Sequence, residues 1–360
     1  MKEKVRILLS GVGNRALPKD PAKSNWMGWV EQILRSGDFT LAAAHDLQDT
    51  TLNRLLEKGI LGEGEVFCDF DKMLSEVEAG AILICSPAES HASAIRKALG
   101  KNLHVLVEKP FVNDLEDGKR LIKEIEQKNL VVSVVQNWRY KDVGRLLKQH
   151  IREGLIGEVN HVFFRYIRNR ENPNYPKYIF KEEYPLLYAM GIHHLDLMRY
   201  VLGDEFESVH ATSFKPRGSL YDSDTGMNIF LKTKKGVPVV YSGTFSSKNN
   251  FLPQESLLVE GNKGSLFNES EWSEPPLWLL PEGKKERIDL SRDVRQAGVV
   301  QQYDHSDARI LKNFYLSMLG EEKPLCEASD ALRSIALLEA CRISCEAGRT
   351  ITIKEVLSIK

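Results

Sequence analysis

The stretch Val105-Leu106-Val107-Glu108-Lys109-Pro110 decides the fold, because an apolar run passes directly into an acid, a base and a proline. The apolar residues fit a short strand buried on both faces, as in parallel sheets. Proline has no N–H for the ladder, so the strand is expected to end where the two charged side chains begin. The sequence therefore predicts an α/β sheet with a carboxylate and an ammonium at a strand's carboxyl end, where such sheets bind ligands.

Two similar segments precede this one. Residues 5–16 read VRILLSGVGNRA, a strand followed by a glycine-rich turn, and residues 82–87 read ILICSP, a buried strand ending in Ser-Pro. The carboxyl ends of parallel strands meet at one edge of a sheet, so all three ends are expected to converge on one crevice. Between them, amphipathic segments alternate with apolar runs, which predicts a doubly wound domain. Its strands are expected near 5–9, 39–45, 65–68, 81–85, 103–107 and 130–136.

After Asn137 the pattern changes to short alternating strands, which predicts a second domain with a large, mostly antiparallel open sheet. Tight turns are expected at 234–236 and 261–264, and helices near 143–153, 190–200, 302–318 and 328–347. We place the domains at 1–136 and 137–360, with the C-terminal helices 302–347 packing back. The predicted strands of the second domain are 158–168, 205–215, 225–233, 237–246 and 254–260.

The balance of charged residues argues against polyanionic binding partners. Lys and Arg number 49 against 50 Asp and Glu, so the net charge of -1 offers no field that would hold nucleic acid or an anionic membrane. The first residues lead straight into a strand, with no apolar segment that could serve as a signal or span a bilayer. We expect a cytoplasmic protein. The five cysteines lack metal-ligand spacing and are expected to be reduced and buried, and no metal site is predicted.

The glycine-rich turn matches the dinucleotide fingerprint, in which Gly11 permits the tight turn and Gly13 lets the backbone approach a pyrophosphate. Asp46, at the end of the second strand, would accept hydrogen bonds from a ribose and repel a 2'-phosphate, which favours NAD over NADP; a helix cap is the alternative role. Asp46 follows Gly11 by 35 positions, where about 20 is usual. The prolines in between predict that the first helix starts near Ser24.

Together, these motifs resemble the Gfo/Idh/MocA family of NAD(P)-dependent oxidoreductases over nearly the whole chain. The resemblance implies a Rossmann domain followed by an α/β domain with a broad sheet. It places Glu108 on the nicotinamide ribose, and Ser86, Pro87, His91 and Asn137 beside the nicotinamide half of the cofactor. The complete set of expected cofactor contacts is Gly11, Gly13, Asn14, Arg15, Asp46, Ser86, Pro87, His91, Glu108, Lys109 and Asn137. Arg15 and Lys19 are the cations that could reach a phosphate.

Lys109 and His193 are the catalytic candidates. In the family, the lysine of this motif polarises or deprotonates the reacting oxygen, and a solvated surface cation is the alternative reading of Lys109. His193 matches the family's acid/base histidine, but Ala189 stands where an aspartate orients that histidine. Either Tyr188 or a residue from elsewhere replaces the carboxylate, or His193 works unassisted, or the chemistry differs. A core or interface histidine with a structural role is the alternative reading of His193. His194 is expected to be structural, and Arg139 and Arg168 are further substrate contacts beside Lys109 and His193.

The leading hypothesis is an NAD-dependent dehydrogenase acting on a secondary alcohol of a sugar, an inositol or a related polyol. A glycosidase that uses tightly bound NAD by transient oxidation is one alternative, and a non-catalytic dinucleotide sensor or regulatory protein is another, because Ala189 departs from the family pattern. We also expect a cis bond between Lys109 and Pro110. Apolar residues on the free face of the second sheet predict a homo-oligomer, a dimer or tetramer, and family members commonly pair through that face.

Overall fold

The computed structural model describes residues 3–20, 27–248, 251–270, 274–292 and 302–358, with side chains from residue 306 onward in the last range. These residues belong to two compact units. The first comprises Met1–Tyr140 and Gln301–Ile335, and the second Lys141–Val300 and Ala336–Lys360. The sequence boundary at 136 thus differs by four residues, and the first unit takes in a C-terminal segment that we had placed with the second domain.

The first unit contains a parallel sheet. Its strands are β1 (Val5–Ser10), β2 (Phe39–His45), β3 (Val66–Phe67), β4 (Ala81–Ile84), β5 (His104–Val107) and β6 (Val132–Val134). Their order is β3-β2-β1-β4-β5-β6. The helices of this unit are α1 (Trp29–Arg35), α2 (Asp49–Glu57), α3 (Phe70–Glu76), α4 (His91–Gly100), α5 (Leu115–Glu126) and α8 (Gln302–Met318). The doubly wound domain is confirmed, and its direction of strand addition reverses between β1 and β4.

Apolar residues cover both faces of this sheet, as its continuous apolar strands require. All four residues of β4 are buried. On one face, Ile310 and Phe314 of α8 pack into the core beside Phe39 and α1. On the other face, Ala328 and Leu332 join the core formed by α4 and α5. The C-terminal segment therefore contributes to both halves of the core of the first unit.

The second unit contains a nine-stranded sheet in the order β14-β13-β12-β11-β7-β10-β9-β8-β15. Every neighbouring pair is antiparallel except β7 and β10. The strands are β7 (Val159–Ile167), β8 (Phe206–Phe214), β9 (Gly226–Thr233), β10 (Pro238–Thr244), β11 (Glu255–Gly261), β12 (Gly264–Ser270), β13 (Leu277–Pro281), β14 (Ile288–Asp289) and β15 (Ile351–Thr352). The large, mostly antiparallel sheet is confirmed, and β12 to β15 are additions to the predicted set.

The helices of the second unit are α6 (Asp142–Arg152), α7 (Ile192–Leu202) and α10 (Ile353–Ser358), while α9 (Ala328–Ala347) passes from the first unit into the second. One sheet face is covered by α7, whose residues 192–201 are all buried. His194 of α7 lies against the rings of Phe164 and Tyr166, with centroids 4.7 and 4.6 Å apart. A single π-helical turn, Leu187–Gly191, precedes α7.

We expected no membrane-spanning segment, no metal site, and five cysteines that are reduced and buried. No helix in the described part of the chain has both the length and the apolar character that crossing a membrane requires. Within the same ranges, no group of three or more His, Cys, Asp or Glu side chains could hold a metal ion. The five cysteines are unpaired thiols, but only Cys326 and Cys341 are buried; Cys68 is exposed, so the prediction of uniformly buried cysteines is wrong.

Candidate active site

A cavity of about 900 Å³ opens at the carboxyl ends of β1, β2 and β4, where the strand order reverses. This is the position at which doubly wound sheets bind ligands, since the loops from neighbouring strands run in opposite directions there. The lining residues from the predicted set are Gly11, Gly13, Asp46, Ser86 and Pro87, and the rest of the wall includes His45, Leu47, Thr51, Asp69, Phe70, Asp71, Cys85 and Lys97.

Gly11 and Gly13 of the fingerprint are explained by different physical reasons. Gly11 has a φ of 89°, and a Cβ there would lie 2.4 Å from the backbone nitrogen of Ser86. The close approach of β1 to β4 therefore requires glycine at this position. A Cβ on Gly13 would meet no atom of the described residues within 4 Å. Packing against these residues does not explain Gly13, and the open space beside its backbone is room that a pyrophosphate would occupy.

Asp46 holds the fingerprint turn. Its Oδ2 accepts a hydrogen bond of 2.7 Å from the Val12 N–H, and its Oδ1 accepts one of 3.0 Å from Gln48 N–H. The N-cap of α2 is Gln48, so the alternative role of Asp46 as a helix cap is wrong. A carboxylate has about four acceptor sites, so two remain for ribose hydroxyls.

Two more carboxylates, Asp69 and Asp71, line the same end of the cavity. Asp69 caps α3, and hydrogen bonds from the backbone of Lys72 and Asp71 lower its pKa. Asp69 adds to the repulsion that Asp46 would exert on a 2'-phosphate, whereas Asp71 is paired with Lys97, whose Nζ lies 2.6 Å from Asp71 Oδ2. The acidic lining suits an adenosine ribose with free hydroxyls.

The segment between the fingerprint and α1 differs from the expectation. The chain makes one turn, in which Leu17 N–H donates to Gly13 O at 2.9 Å, and α1 begins at Trp29. Ser24, where we predicted the helix to start, lies outside the described residues, and Gly28, directly before α1, is not helical. The predicted cofactor contact Asn14 accepts a hydrogen bond of 3.1 Å from Lys19 N–H through its side-chain oxygen.

Arg15 does not extend toward a phosphate. Its guanidinium donates to Glu108 at 2.9 Å and to both oxygens of Asp307 at 2.8 Å. Two carboxylates therefore bind the cation that we had expected at the pyrophosphate. This correction leaves Lys19 as the predicted cation for that position.

Ser86, Pro87 and His91 lie at the end of β4. The Ser86 hydroxyl is 2.7 Å from the Ser90 hydroxyl. The buried His91 ring lies between two carbonyls, with Nδ1 2.8 Å from Pro110 O and Nε2 2.9 Å from Ser86 O. Carbonyl oxygens only accept, so both contacts are hydrogen bonds when both ring nitrogens carry a proton. His91 thus joins the end of β4 to the segment that follows β5.

Glu108 and Lys109 follow β5 as predicted, and the Lys109–Pro110 bond is cis. Glu108 is 9 % exposed, and its Oε1 also accepts a hydrogen bond of 2.8 Å from Trp29 Nε1. The backbone N–H of Glu108 donates to Ile84 O at 2.8 Å, which continues the pairing of β4 and β5 to the strand end. Burial, followed by the nearby Glu108 charge, raises the pKa of the Cys85 thiol well above its usual value, so Cys85 stays protonated.

Beside β6, two amide side chains are buried with an oxygen that has no hydrogen-bond partner among the described residues: Oε1 of Gln136 and Oδ1 of Asn137. Buried polar atoms are rarely left unpaired in proteins, so such atoms indicate a ligand or a bound water. Asn137 is the residue expected beside the nicotinamide. With the open space at Gly13 and the acidic pocket around Asp46, these residues fit a dinucleotide.

The second unit holds the histidine pair. His193 is 8 % exposed and lies in the first turn of α7. His194 is fully buried, its Nδ1 is 2.9 Å from the Tyr241 hydroxyl, and burial lowers its pKa well below the usual value. His194 therefore has the structural role that we expected. Ala189 lies within the π turn, and the neighbouring Tyr188 lies near charged residues of α9, including Glu339 and Arg342.

The two arginines predicted as substrate contacts differ in position. Arg139 is 3 % exposed and binds the Leu325 carbonyl and the Asp330 carboxylate within the first unit. Because these partners hold its buried guanidinium, we assign Arg139 a structural role instead. Arg168 is half-buried just beyond β7, where its backbone N–H donates to Thr244 O at 3.0 Å.

Two family models match the chain. Residues 48–136 match the NAD-binding Rossmann fold of the Gfo/Idh/MocA oxidoreductase family, and residues 148–353 match its C-terminal alpha/beta domain. The chain belongs to the Gfo/Idh/MocA family. It is an oxidoreductase with an NAD-binding Rossmann domain.

Characterised members of the Gfo/Idh/MocA family align with most of the chain. A myo-inositol 2-dehydrogenase from Thermotoga maritima is 24 % identical over 332 residues, which covers 91 % of this chain and 95 % of the relative. A D-apiose dehydrogenase from Paraburkholderia graminis is 24 % identical over 331 residues, covering 86 % and 83 % respectively. These names favour a dehydrogenase over the glycosidase and the sensor.

Solved structures of this family share the fold. An oxidoreductase from Agrobacterium radiobacter, in complex with NAD+, L-tartaric acid and magnesium, has a TM-score of 0.82 at 19 % identity, covering 98 % of this chain and 99 % of that one. A dehydrogenase from Bordetella pertussis, in complex with NADH and UDP-GlcNAcA, has a TM-score of 0.81 at 20 % identity, covering 98 % of each chain. At these identities the likeness establishes the fold alone.

Sequence reasoning missed several residues of this Gfo/Idh/MocA site. Phe70 and Lys97 line the cavity from α3 and α4, and Trp29 and Asp307 hold Glu108 and Arg15. Phe70 lies three residues after the end of β3, so its position near the strand ends could have been deduced. Asp307 carried no such signal, because only the packing of α8 brings it to the sheet.

Proposed function

We propose that the protein oxidises a secondary hydroxyl of a sugar, an inositol or a related polyol with NAD. The observation that carries the proposal is the position of Glu108 and Lys109, which end β5 two strands from the fingerprint turn and one strand from Ser86. The family relationship and the dehydrogenase names of the relatives support it. When bound, NAD supplies the acceptor for the hydride at C4 of its nicotinamide.

In this mechanism, Lys109 acts as the neutral amine: it contacts the hydroxyl oxygen of the substrate and takes the hydroxyl proton, becoming an ammonium, as the hydride leaves the carbon that bears this oxygen. A base must lie within hydrogen-bond reach of that oxygen, and Lys109 is half-buried at a strand end that suits this role. Glu108 would bind the nicotinamide ribose, and Asn137 would donate or accept at the nicotinamide through its buried amide. Asp46 would accept from the adenosine ribose.

His193 is proposed as a second acid/base group and Arg168 as a substrate contact, both from the second unit. With Ala189 in place of the orienting aspartate, the imidazole lacks the carboxylate that raises its basicity in relatives with that motif. We therefore expect His193 to contribute less to turnover than Lys109 does.

The open sheet face supports the proposal of a homo-oligomer. Six strands present an apolar side chain in direct lateral register on this face, and two of the rings, Phe163 and Phe230, are 46 % and 56 % exposed. A row of this kind on a monomer would leave a large apolar surface in water. The row consists of Phe230, Val240, Phe163, Leu258, Phe267 and Trp278.

Arg165 and Glu269 form an ion pair at 3.2 Å beside this row, and His161 Nε2 lies 3.0 Å from a Glu260 carboxylate oxygen. The Arg165–Glu269 pair places opposite charges side by side, so a second copy related by a two-fold axis would find complementary charges beside the same apolar row. We propose a second copy of this chain as the occupant of the face, in a dimer or tetramer.

We also propose that the protein is cytoplasmic, since unpaired cysteines suit a reducing compartment.

A steady-state screen of inositols, pentoses and hexoses with NAD tests the function. The proposal expects net NADH formation with at least one polyol, saturating in both reactants, and little formation with NADP. Retention of bound NAD with turnover of a glycoside and no net NADH would favour the glycosidase. Binding of NAD without turnover of any compound would favour the sensor.

A further inference from the structure

The long segment between the fingerprint and α1 is closed at its base. Trp29 N–H donates to Arg15 O at 3.4 Å, and Val30 N–H donates to Ala16 O at 3.0 Å. A Cβ on Gly28, whose φ is 87°, would lie 2.7 Å from Ala16 O, so glycine permits this closure. Residues 15–16 and residues 29–30 thus lie side by side.

Both ends of that segment bind the same carboxylate oxygen. Arg15 Nε and Trp29 Nε1 donate to Glu108 Oε1 at 2.9 and 2.8 Å, while Lys109 N–H donates to Oε2 at 3.2 Å. Trp29 is fully buried and Glu108 is 9 % exposed, so these hydrogen bonds lie where solvent competes little. The rotamer of Glu108 is consequently fixed by residues from the fingerprint and from α1.

Asp307 binds Arg15 and so joins the residues that hold Glu108. It is fully buried, and its two oxygens accept parallel hydrogen bonds from Arg15 at 2.8 Å each. The Arg15 guanidinium also stacks 4.7 Å from the centroid of the Trp29 ring. Such a two-oxygen pair fixes the plane of the guanidinium as well as its position. Arg15 therefore has one orientation, and that orientation directs its Nε at Glu108.

We propose that Arg15, Trp29 and Asp307 are positioning residues for the reaction: they hold the Glu108 carboxylate and thereby the adjoining Lys109 at the end of β5. The inference rests on the proposed function, in which this strand end faces the nicotinamide half of the cofactor. Without Arg15, two buried carboxylates would lack their shared cation, and Glu108 would lose its fixed rotamer.

The mildest test is Trp29→Phe, which keeps most of the ring packing and removes only the Nε1–H donor. We expect kcat to fall about fivefold while the KM for the polyol changes less than twofold. Arg15→Met should lower kcat further, by about fiftyfold. The matched control is Arg96→Met, because Arg96 also binds two carboxylates, Asp117 and Glu124, but on the outer surface of α4 and α5.

A double-mutant cycle separates positioning from general destabilisation. If Arg15 acts through Glu108, the loss in kcat for Arg15→Met combined with Glu108→Gln should be smaller than the product of the single losses by at least threefold. Additive losses, or an unchanged kcat in Trp29→Phe, would overturn the inference. So would equal losses in Arg15→Met and Arg96→Met. Wild-type protein that oxidises no polyol would instead refute the proposed function, so the two failures are distinguishable.

Discussion

Replacing Asp46 with serine should change the cofactor preference toward NADP. Asp46 lies at the end of β2 and lines the cavity with Asp69 and Asp71. At about 5 Å, one unit of charge on Asp46 repels one unit on a 2'-phosphate by ~0.8 kcal/mol in water and ~3 kcal/mol at an effective dielectric constant of about 20. Since Asp46 is half-buried, we expect a value near 1.4 kcal/mol, about tenfold in the ratio of dissociation constants.

The structure also limits this effect. The serine would lose the 2.7 Å hydrogen bond from Val12 N–H that shapes the fingerprint turn, which should weaken NAD and NADP binding alike. Asp69 remains in place, so the variant should shift the ratio without reversing a strong preference.

Titration of protein fluorescence with each cofactor measures the four dissociation constants. Asp49→Ser is the matched control, because Asp49 begins α2 and bonds to the Cys68 thiol at 2.6 Å without lining the cavity. An equal shift in the Asp49 variant would refute a local role for Asp46. Wild-type protein that binds NADP as tightly as NAD would refute the argument from charge as a whole.

Four further predictions concern the remaining residues. Lys109→Met should lower turnover about a hundredfold in steady-state assays, with NAD affinity changed little. His193→Ala should lower it by less, and Ala189→Asp should move the acid limb of the pH–rate profile upward, because a nearby carboxylate favours the protonated imidazole. Phe230→Lys should reduce the mass measured by light scattering toward the 40.9 kDa of one chain, and an unchanged mass would exclude the sheet face as the interface. His91→Phe should lower kcat about tenfold, whereas His91→Gln, which keeps an N–H donor, should lower it less.

The sequence predicted the structure best where neighbouring residues alone determine it. Residues 105–107 form a strand and residues 108–110 end it, because a run of apolar residues followed by proline determines both without reference to the rest of the chain. The fingerprint and Asp46 were found by the same kind of reasoning. The two hairpin turns at 234–236 and 261–264 also follow from short-range rules.

What the sequence could not predict depends on contacts between distant segments. Arg15 binds Asp307, 292 positions away, and nothing in either neighbourhood indicates the other. The spacing of the apolar residues in α8 shows that the helix is amphipathic. It does not show which sheet the helix covers, so we had placed α8 in the second domain. Arg139 was predicted as a substrate contact, whereas the returning segment binds it through Asp330.

The central claim is that this site transfers a hydride from a polyol to NAD with Lys109 at the reacting oxygen. The most direct measurement is NADH formation by wild type and Lys109→Met, with a polyol carrying deuterium at the reacting carbon. The account predicts stoichiometric transfer of deuterium to the nicotinamide in wild type and about a hundredfold slower transfer in the variant at similar NAD affinity. Unchanged turnover in Lys109→Met, or NADH without deuterium, would contradict it.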